Sequence, residues 1–557
     1  MTGVPTLERR EPPPAVHVEP GFTSRSGRNH STAGIGHLVR LVLRRDRLRI
    51  TLWWTAIVGL IVVSAASITG LYRTPAELET YGRLVRGNSA LIVQSGPGYG
   101  LDDPTTGAVM MNESAIWTII GVALMCVFMT VRHTRTEEES ERAELIRAAP
   151  VGRHAPLAAA LIGVAIADAL VAIGSAVALI AYGLPVSGSF AFGMSIFGAG
   201  LVFAGVAAVA AQVASGSRAA LALGGAVIGV SFVLRAVGDV GNGVLSWASP
   251  IGWAQAIRAF ADERWWVLAI PFLATAGLIL AAVALQNRRD FGAGLVEQRP
   301  GPAVAGPRLS SPLALAVRLQ RASVLGWAIG VGLISFFYGI VADQAESMIQ
   351  DNPDLADFFA QLGGASITDA FLSTSVLILA LIATGFTISS VLRLRSEELA
   401  GRTDALLATP VTRRRLALGH LTVAVAGTVV IMVVAGLSIG LGFALVSGDA
   451  SQIGRMLAAA VVMVPAMLLV AGIGFALYTV APRGSLMIWG FYAWAMVAGM
   501  LATVLRLPDW TLDLSPFQHV PALPAASMSW LPVIALLCVA AGLVGIGLAA
   551  LDHRDMS

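Results

Sequence analysis

The feature that most limits what this chain can fold into is a succession of long apolar runs. They are Ile50–Leu71, Ala115–Val131, Leu157–Tyr182, Phe190–Ala214, Ala219–Leu234 and Val267–Leu285, then Leu325–Val341, Ser373–Leu392, Leu421–Val446, Met456–Val480, Ser485–Leu505 and Leu531–Leu551. A helix needs roughly 17–25 mostly apolar residues to cross the hydrocarbon core of a bilayer. Backbone groups in lipid must bond within their own segment, so helices are the expected form. The sequence therefore predicts an all-α polytopic membrane protein with twelve transmembrane helices, six in each half. Only 13% of the 557 residues are charged, about half the roughly 25% of a soluble domain.

Every one of the 37 basic residues is arginine. The P-loop of ATP-binding proteins needs a lysine on the phosphates, so this chain cannot carry that loop. Cys126 and Cys538 lie in separate apolar runs, and neither a disulfide framework nor a C-x-x-C metal pattern is present. Residues 1–33 are rich in Pro, Ser, Gly and charge and precede any apolar run; they read as a disordered tail rather than a cleaved signal peptide. With the N-terminus placed in the cytoplasm, 29 of the arginines fall on that side. Positive loops stay inside, which predicts that both termini are cytoplasmic.

The two halves repeat more than a count. Arg135, Glu137, Glu138, Arg142, Ala148, Pro150, Val151 and Arg153 recur without gaps as Arg395, Glu397, Glu398, Arg402, Ala408, Pro410, Val411 and Arg413, and Ser249-Pro250 recurs as Ser515-Pro516. An even number of spans per half makes this a parallel repeat rather than an inverted one. The expected organisation is a first half at 34–286, a flexible cytoplasmic linker at 287–311 and a second half at 312–557. Arginines alternate with Leu and Val at 36–49 and 312–322, the pattern of an interfacial helix or an arginine-rich topology anchor.

The charged motif between the second and third spans of each half is more than a topology signal, because acids contribute little to orientation. Glu138 and Arg142, and Glu398 and Arg402, stand four apart, the spacing of a helical ion pair. Leu145 and Ile146, and Leu406 and Leu407, supply an apolar side, and Pro150 and Pro410 stop each helix. Helices at 136–149 and 396–409, carrying Glu137 and Glu397 as well, suit docking into the groove of a partner that is itself two-fold.

The motif R-x-E-E-x-x-x-R-x-x-x-L-x-A-x-P-V-x-R resembles the coupling-helix region of type-2 ABC exporter permeases, the ABC-2 family, and the Ser-Pro pair before the sixth span resembles it too. Two such halves in one chain are similar to the actinobacterial polyketide-antibiotic (tetronasin-type) exporters and their mycobacterial multidrug relatives, over roughly residues 36–555. The resemblance implies two parallel six-helix repeats of the type V exporter kind. It implies a separately encoded ATPase, in two copies, that holds ATP and Mg while this chain holds no cofactor or metal. It also implies export of hydrophobic or amphiphilic drugs along a path lined by the second and fifth spans of each half.

On those spans lie Trp117, Met125, Met129, Phe232, Phe386, Trp489, Tyr492, Trp494 and Met496. Rings and methionines make adaptable apolar pockets, although they equally pack helices or face lipid. Asp168 is the only acid well inside an apolar run, and intramembrane ions are often functional. A proton-coupled secondary multidrug transporter is the alternative reading, and one acid is thin support for it. No nucleophile–base set is present and nothing points to nucleic acid; the expected partners are the ATPase, membrane lipids and a drug-like substrate.

Overall fold

The computed structural model describes residues 33–86, 89–140, 149–290, 292–296, 304, 306–342, 367–505 and 508–554. All regular structure among them is helical. Among the described residues, eleven helices are long and apolar enough to cross a membrane. The run Ser485–Leu505 is the one expected span outside that group; it holds a helix at Met487–Leu505.

The chain divides into two compact units. One comprises residues 1–67, 117–234 and 247–297, the other 68–116, 235–246 and 298–557. The first unit takes most of α1 (Ile35–Leu71) and of α4 (Thr106–Val131), with α5 (Ala155–Ala181), α6 (Val186–Val213), most of α7 (Ser217–Val240), α8 (Pro250–Ala256) and α9 (Ala269–Arg288). Its centre is α6, which packs on α5, α8 and α9. Small residues allow this. A Cβ on Gly193 would meet the Ala172 carbonyl at 2.8 Å, and one on Gly205 would meet Leu278 at 2.9 Å. In membranes, close backbone approach through such residues replaces the hydrophobic drive that water supplies elsewhere.

The second unit holds the short α2 (Pro75–Arg86) and α3 (Ser89–Ser95) together with the long α10 (Pro312–Val341), α11 (Ile367–Val391) and α14 (Arg413–Ser447). Between α11 and α14 lie the short α12 (Arg393–Leu399) and α13 (Arg402–Leu407). After α14 come α15 (Ser451–Val462), α16 (Val464–Val480), α17 (Met487–Leu505) and α18 (Trp530–His553). α10 packs along α14, where Gly339 and Gly442 leave no room for a Cβ, and α16 packs along α18. The Tyr81 hydroxyl of α2 donates to Asn112 Oδ1 at 2.7 Å. Burial, with the Glu113 charge second, pushes the Tyr81 phenol well above its ordinary range.

Three expectations change here. The arginine-rich segments 36–49 and 312–322 are not separate helices. α1 runs unbroken for 37 residues, about 55 Å at helical rise, and α10 for 30, because neither junction carries a helix breaker. The segment 287–311 is not a free linker from its start. Residues 287 and 288 finish α9, and Leu295 and Val296 donate backbone hydrogen bonds to Gln212 and Val213 at the end of α6. The second charged motif is two helices rather than one, as described below. The acidic stretch 343–366 lies outside the described residues.

Candidate coupling site

Beyond the last apolar turn of α4, Arg132–Thr136 form a single π turn, followed by one α turn at Glu137–Glu139. The wider turn brings His133 and Arg135 inside. Arg135 is 1% exposed. Its Nη1 donates to Glu138 Oε2 at 2.8 Å and to the Ala293 carbonyl at 3.0 Å; its Nη2 donates to the carbonyls of Gly292, at 2.9 Å, and Ser215. Arg289, one residue past α9, meets the same carboxylate as a fork, with Nη2 at 2.5 Å from Oε1 and Nη1 at 2.9 Å from Oε2. Its Nε is held by Gln212 Oε1 at 2.6 Å. Two-pronged arginine–carboxylate bonding fixes direction as well as distance.

The flanking acids tie in other helices of the first unit. Glu137 pairs with Arg45 of α1 at 2.8 Å. Glu139 accepts from the backbone N–H of Ser217 at 2.7 Å and from its hydroxyl at 2.5 Å, placing a negative charge at the positive end of α7. Asp46 of α1 meets His133 Nε2 at 2.5 Å and Arg132 at 3.2 Å. Downstream, Arg153 Nη2 donates to the Gln286 carbonyl of α9 at 3.1 Å.

The second motif resolves into α12 and α13, separated at Ala400–Gly401. Gly401 adopts φ +66°, a left-handed conformation that suits glycine and ends the helix. The expected Glu398–Arg402 pair on one helix is therefore corrected. The reversal turns Arg402 onto Glu397, at 2.5 Å, which also holds Arg393 at 2.8 Å. The Glu397 bond raises the Arg402 pKa. Glu398 turns inward instead. It accepts from the Tyr478 hydroxyl at 2.6 Å and from Arg554 Nη2 at 2.6 Å. The Arg554 guanidinium lies over the Tyr478 ring, 5.1 Å from its centroid, and Nη1 donates to the Tyr478 carbonyl at 3.1 Å. Arg413 Nη1 donates to the Arg554 carbonyl at 2.6 Å. Leu406 and Leu407 are packed against a core that includes Leu394, Leu416 and Leu551.

The structure thus brings together Glu137 and Glu138 in one cluster, and Glu397, Glu398 and Arg402 in another. Arg142, Leu145 and Ile146 lie outside the described residues; among the described residues Glu138 finds its cations in Arg135 and Arg289. Sequence reasoning missed Arg289, Arg554, Tyr478 and Arg45. A signal existed for two of them: each last apolar run of a half is followed by an Arg-Asp pair, Arg289-Asp290 and Arg554-Asp555.

The Ser-Pro pairs have a local explanation in the first unit. Ser249 caps α8 by accepting from Gly252 N at 3.3 Å and donates to the Ser231 carbonyl at 2.6 Å. Ser515 is buried and opens only a short 3-10 turn.

The residues expected on a substrate path divide by burial. Met125, Met129 and Phe386 are fully buried, and the Phe386 ring fills the space that Gly427 of α14 leaves. These three pack helices. Trp117 is 51% exposed and Trp489 38%. Tyr492 donates to the Leu381 carbonyl at 2.9 Å and stands edge-on to Trp489, with centroids 5.9 Å apart. Trp494 leans on Phe491, and Met496 and Phe232 are half-buried. Asp168 of α5 is fully buried and faces Gly200 of α6; neither carboxyl oxygen has a hydrogen-bond partner among the described residues. Arg235 pairs with Asp239 at 3.4 Å, the local bond expected from their spacing. Among the described residues no three His, Cys, Asp or Glu side chains converge to hold a metal ion.

A family model described as "Multidrug efflux system permease Rv1217c, C-terminal domain" matches residues 309–551. The chain is 36% identical over 546 residues to the multidrug efflux system permease protein Rv1217c of Mycobacterium tuberculosis (strain ATCC 25618 / H37Rv), an alignment covering 97% of each.

Proposed function

The chain belongs to the family of multidrug efflux system permeases that includes Rv1217c, and from that premise we propose that it is the membrane subunit of an ATP-driven ABC-2 type exporter. In this reading its twelve membrane helices form two parallel six-helix halves in a bacterial plasma membrane, with both termini cytoplasmic. A separately encoded ATPase, in two copies, binds ATP and Mg and docks on the segments around Glu137–Glu139 and α12–α13. Closure of the ATPase dimer drives the halves from inward-open to outward-open, moving hydrophobic or amphiphilic drugs along aromatic and methionine-bearing spans.

One observation carries the reading. A glutamate of each charged motif is clasped by the arginine that follows the last helix of its half: Glu138 by Arg289 and Glu398 by Arg554. A push on either segment would reach a membrane helix through a fixed bond rather than a loose loop. In the second unit the side chains open to a partner include Leu399, 73% exposed, and the exposed Arg402 and Asp404.

The test is co-purification of the chain with its ATPase in lipid nanodiscs, comparing wild type with Leu399→Asp combined with Arg402→Glu. Loss of the complex and of ATP-dependent drug transport, with an unchanged unfolding midpoint, is expected. The buried Asp168, with no hydrogen-bond partner among the described residues, favours the proton-coupled alternative. Transport by the chain alone, independent of ATP and dissipated by a protonophore, would establish that alternative in place of the ATPase reading.

A further inference from the structure

At the arginine-rich ends of the first unit's helices lies a cavity of about 400 Å³. Its walls come from the N-terminal extension of α1, the π turn after α4, the first turn of α5 and the ends of α6 and α9. Five helix ends that converge this way lie at one level, just beyond the apolar stretches. For a membrane helix that is the depth of lipid headgroups.

The lining has two characters. Leu41, Val42 and Leu157 form an apolar side; Leu41 is 41% exposed, so this wall is open. Arg45, Arg153 and Glu137 form a polar side. Arg153 is exposed, and among the described residues its guanidinium bonds only the Gln286 carbonyl. Glu137 is 9% exposed and spends Oε1 on Arg45, while Oε2 is buried with no hydrogen-bond partner among the described residues. A buried carboxylate oxygen left unpaired is costly, so an oxygen in that state on a cavity wall suits a donor carried by a bound ligand. Basic pockets between membrane helices on the cytoplasmic side are suited to lipid headgroups.

We propose that this cavity binds one phospholipid with a primary-amine headgroup, the phosphate on Arg153 and Arg45, the ammonium on Glu137 Oε2, and an acyl chain along Leu41, Val42 and Leu157. A purely anionic headgroup would leave Glu137 Oε2 unpaired. A quaternary ammonium would bring charge but no N–H. The primary amine satisfies the carboxylate while its phosphate takes the arginine. The proposal needs the chain to lie in a membrane, not any particular energy source.

The experiment is native mass spectrometry of the full chain released from micelles doped with phosphatidylethanolamine, phosphatidylglycerol or phosphatidylcholine of identical acyl composition. A fourth arm contains free glycerophosphoethanolamine. Phosphatidylethanolamine should be retained roughly tenfold better than the other two, the worth of one charge-assisted hydrogen bond. Glu137→Gln should erase that preference, and Arg153→Ala should weaken all three lipids while Arg153→Lys restores them. Equal retention of the three lipids, or a ranking that Glu137→Gln leaves unchanged, would overturn the proposal. Binding of the free headgroup as tight as that of the lipid would point to a soluble amino-phosphate ligand. Exclusion of lipid at every ratio once the ATPase is bound would assign the cavity to a protein contact, and either result would sink the lipid reading. Should Glu137→Gln fail to fold, the contrast between Arg153→Ala and Arg153→Lys across the three lipids decides alone.

Discussion

The two charged clusters use the same sequence positions and reach the same destination by different chemistry. In both, the second glutamate of the motif bonds the arginine after a terminal helix, and a downstream arginine bonds a backbone carbonyl at that same helix end: Arg153 on Gln286, Arg413 on Arg554. The supporting shells differ. Glu138 lies between two guanidiniums, and Arg135 further pins backbone carbonyls at 215 and 292–293. Glu398 has one guanidinium and one neutral phenol. The neighbouring glutamates diverge as well, Glu137 reaching across to α1 and Glu397 staying with Arg393 and Arg402. A buried carboxylate needs cations and donors, but where they come from is set by packing, not by the motif.

The largest effect should come from removing the one guanidinium that Glu398 meets among the described residues. Arg554→Ala leaves Glu398, 8% exposed, with the phenol alone. Breaking a buried pair from one side typically costs about 3–5 kcal/mol. Equilibrium unfolding in mixed micelles should register that loss, and removal of residues 554–557 should reproduce it. Arg289→Ala is the matched test. Glu138 keeps Arg135, so the cost should be smaller, about 1.5–3 kcal/mol for the lost charge-assisted bonds. Equal losses at the two sites would mean that Arg135 does not stand in for Arg289, and the asymmetry drawn above would fail.

Tyr478→Phe probes the phenol that the first cluster lacks. The ring still supports Arg554 and only the hydroxyl is gone, so a loss of about 1.5 kcal/mol is expected from one hydrogen bond to a charged acceptor. Combined with Arg554→Ala, the two changes should be more than additive, because Glu398 would then be buried with neither partner. A double-mutant cycle in the same micelles measures the excess.

These contrasts mark what sequence could and could not tell. Length and apolarity located the membrane helices, since lipid leaves a spanning segment few alternatives. The gapless recurrence of the charged motif located both clusters. The pairings were misread where helical spacing was applied across a glycine: Arg402 stands four from Glu398, yet Gly401 at φ +66° ends the helix between them. The long partners were hidden for another reason. Arg289 is 151 residues from Glu138, and Arg554 is 156 from Glu398. Periodicity describes one helix at a time, and such contacts exist only once several helices are packed. The aromatic residues show the same limit. Composition picked out Met125, Phe386 and Trp489 alike, while burial sets the first two inside the packing and leaves the third exposed.

The smallest expected change in stability carries the most information about coupling. The Arg402 side chain is 55% exposed, and Glu397 keeps Arg393 at 2.8 Å when Arg402 is removed. Exposed ion pairs contribute roughly 0–1 kcal/mol, so Arg402→Ala should barely move the unfolding midpoint. Arg554→Ala lowers stability by disturbing the inner side of the motif. If the motif also has an outer side that receives the ATPase, Arg402→Ala should weaken association of the two chains, and with it ATP-dependent transport, in a protein as stable as wild type. Titration of labelled ATPase onto nanodisc-held permease separates the effects. Weakened binding with intact stability places Arg402 on the docking face. Unchanged binding confines the motif's role to its inner bonds and leaves docking to other exposed groups such as Leu399.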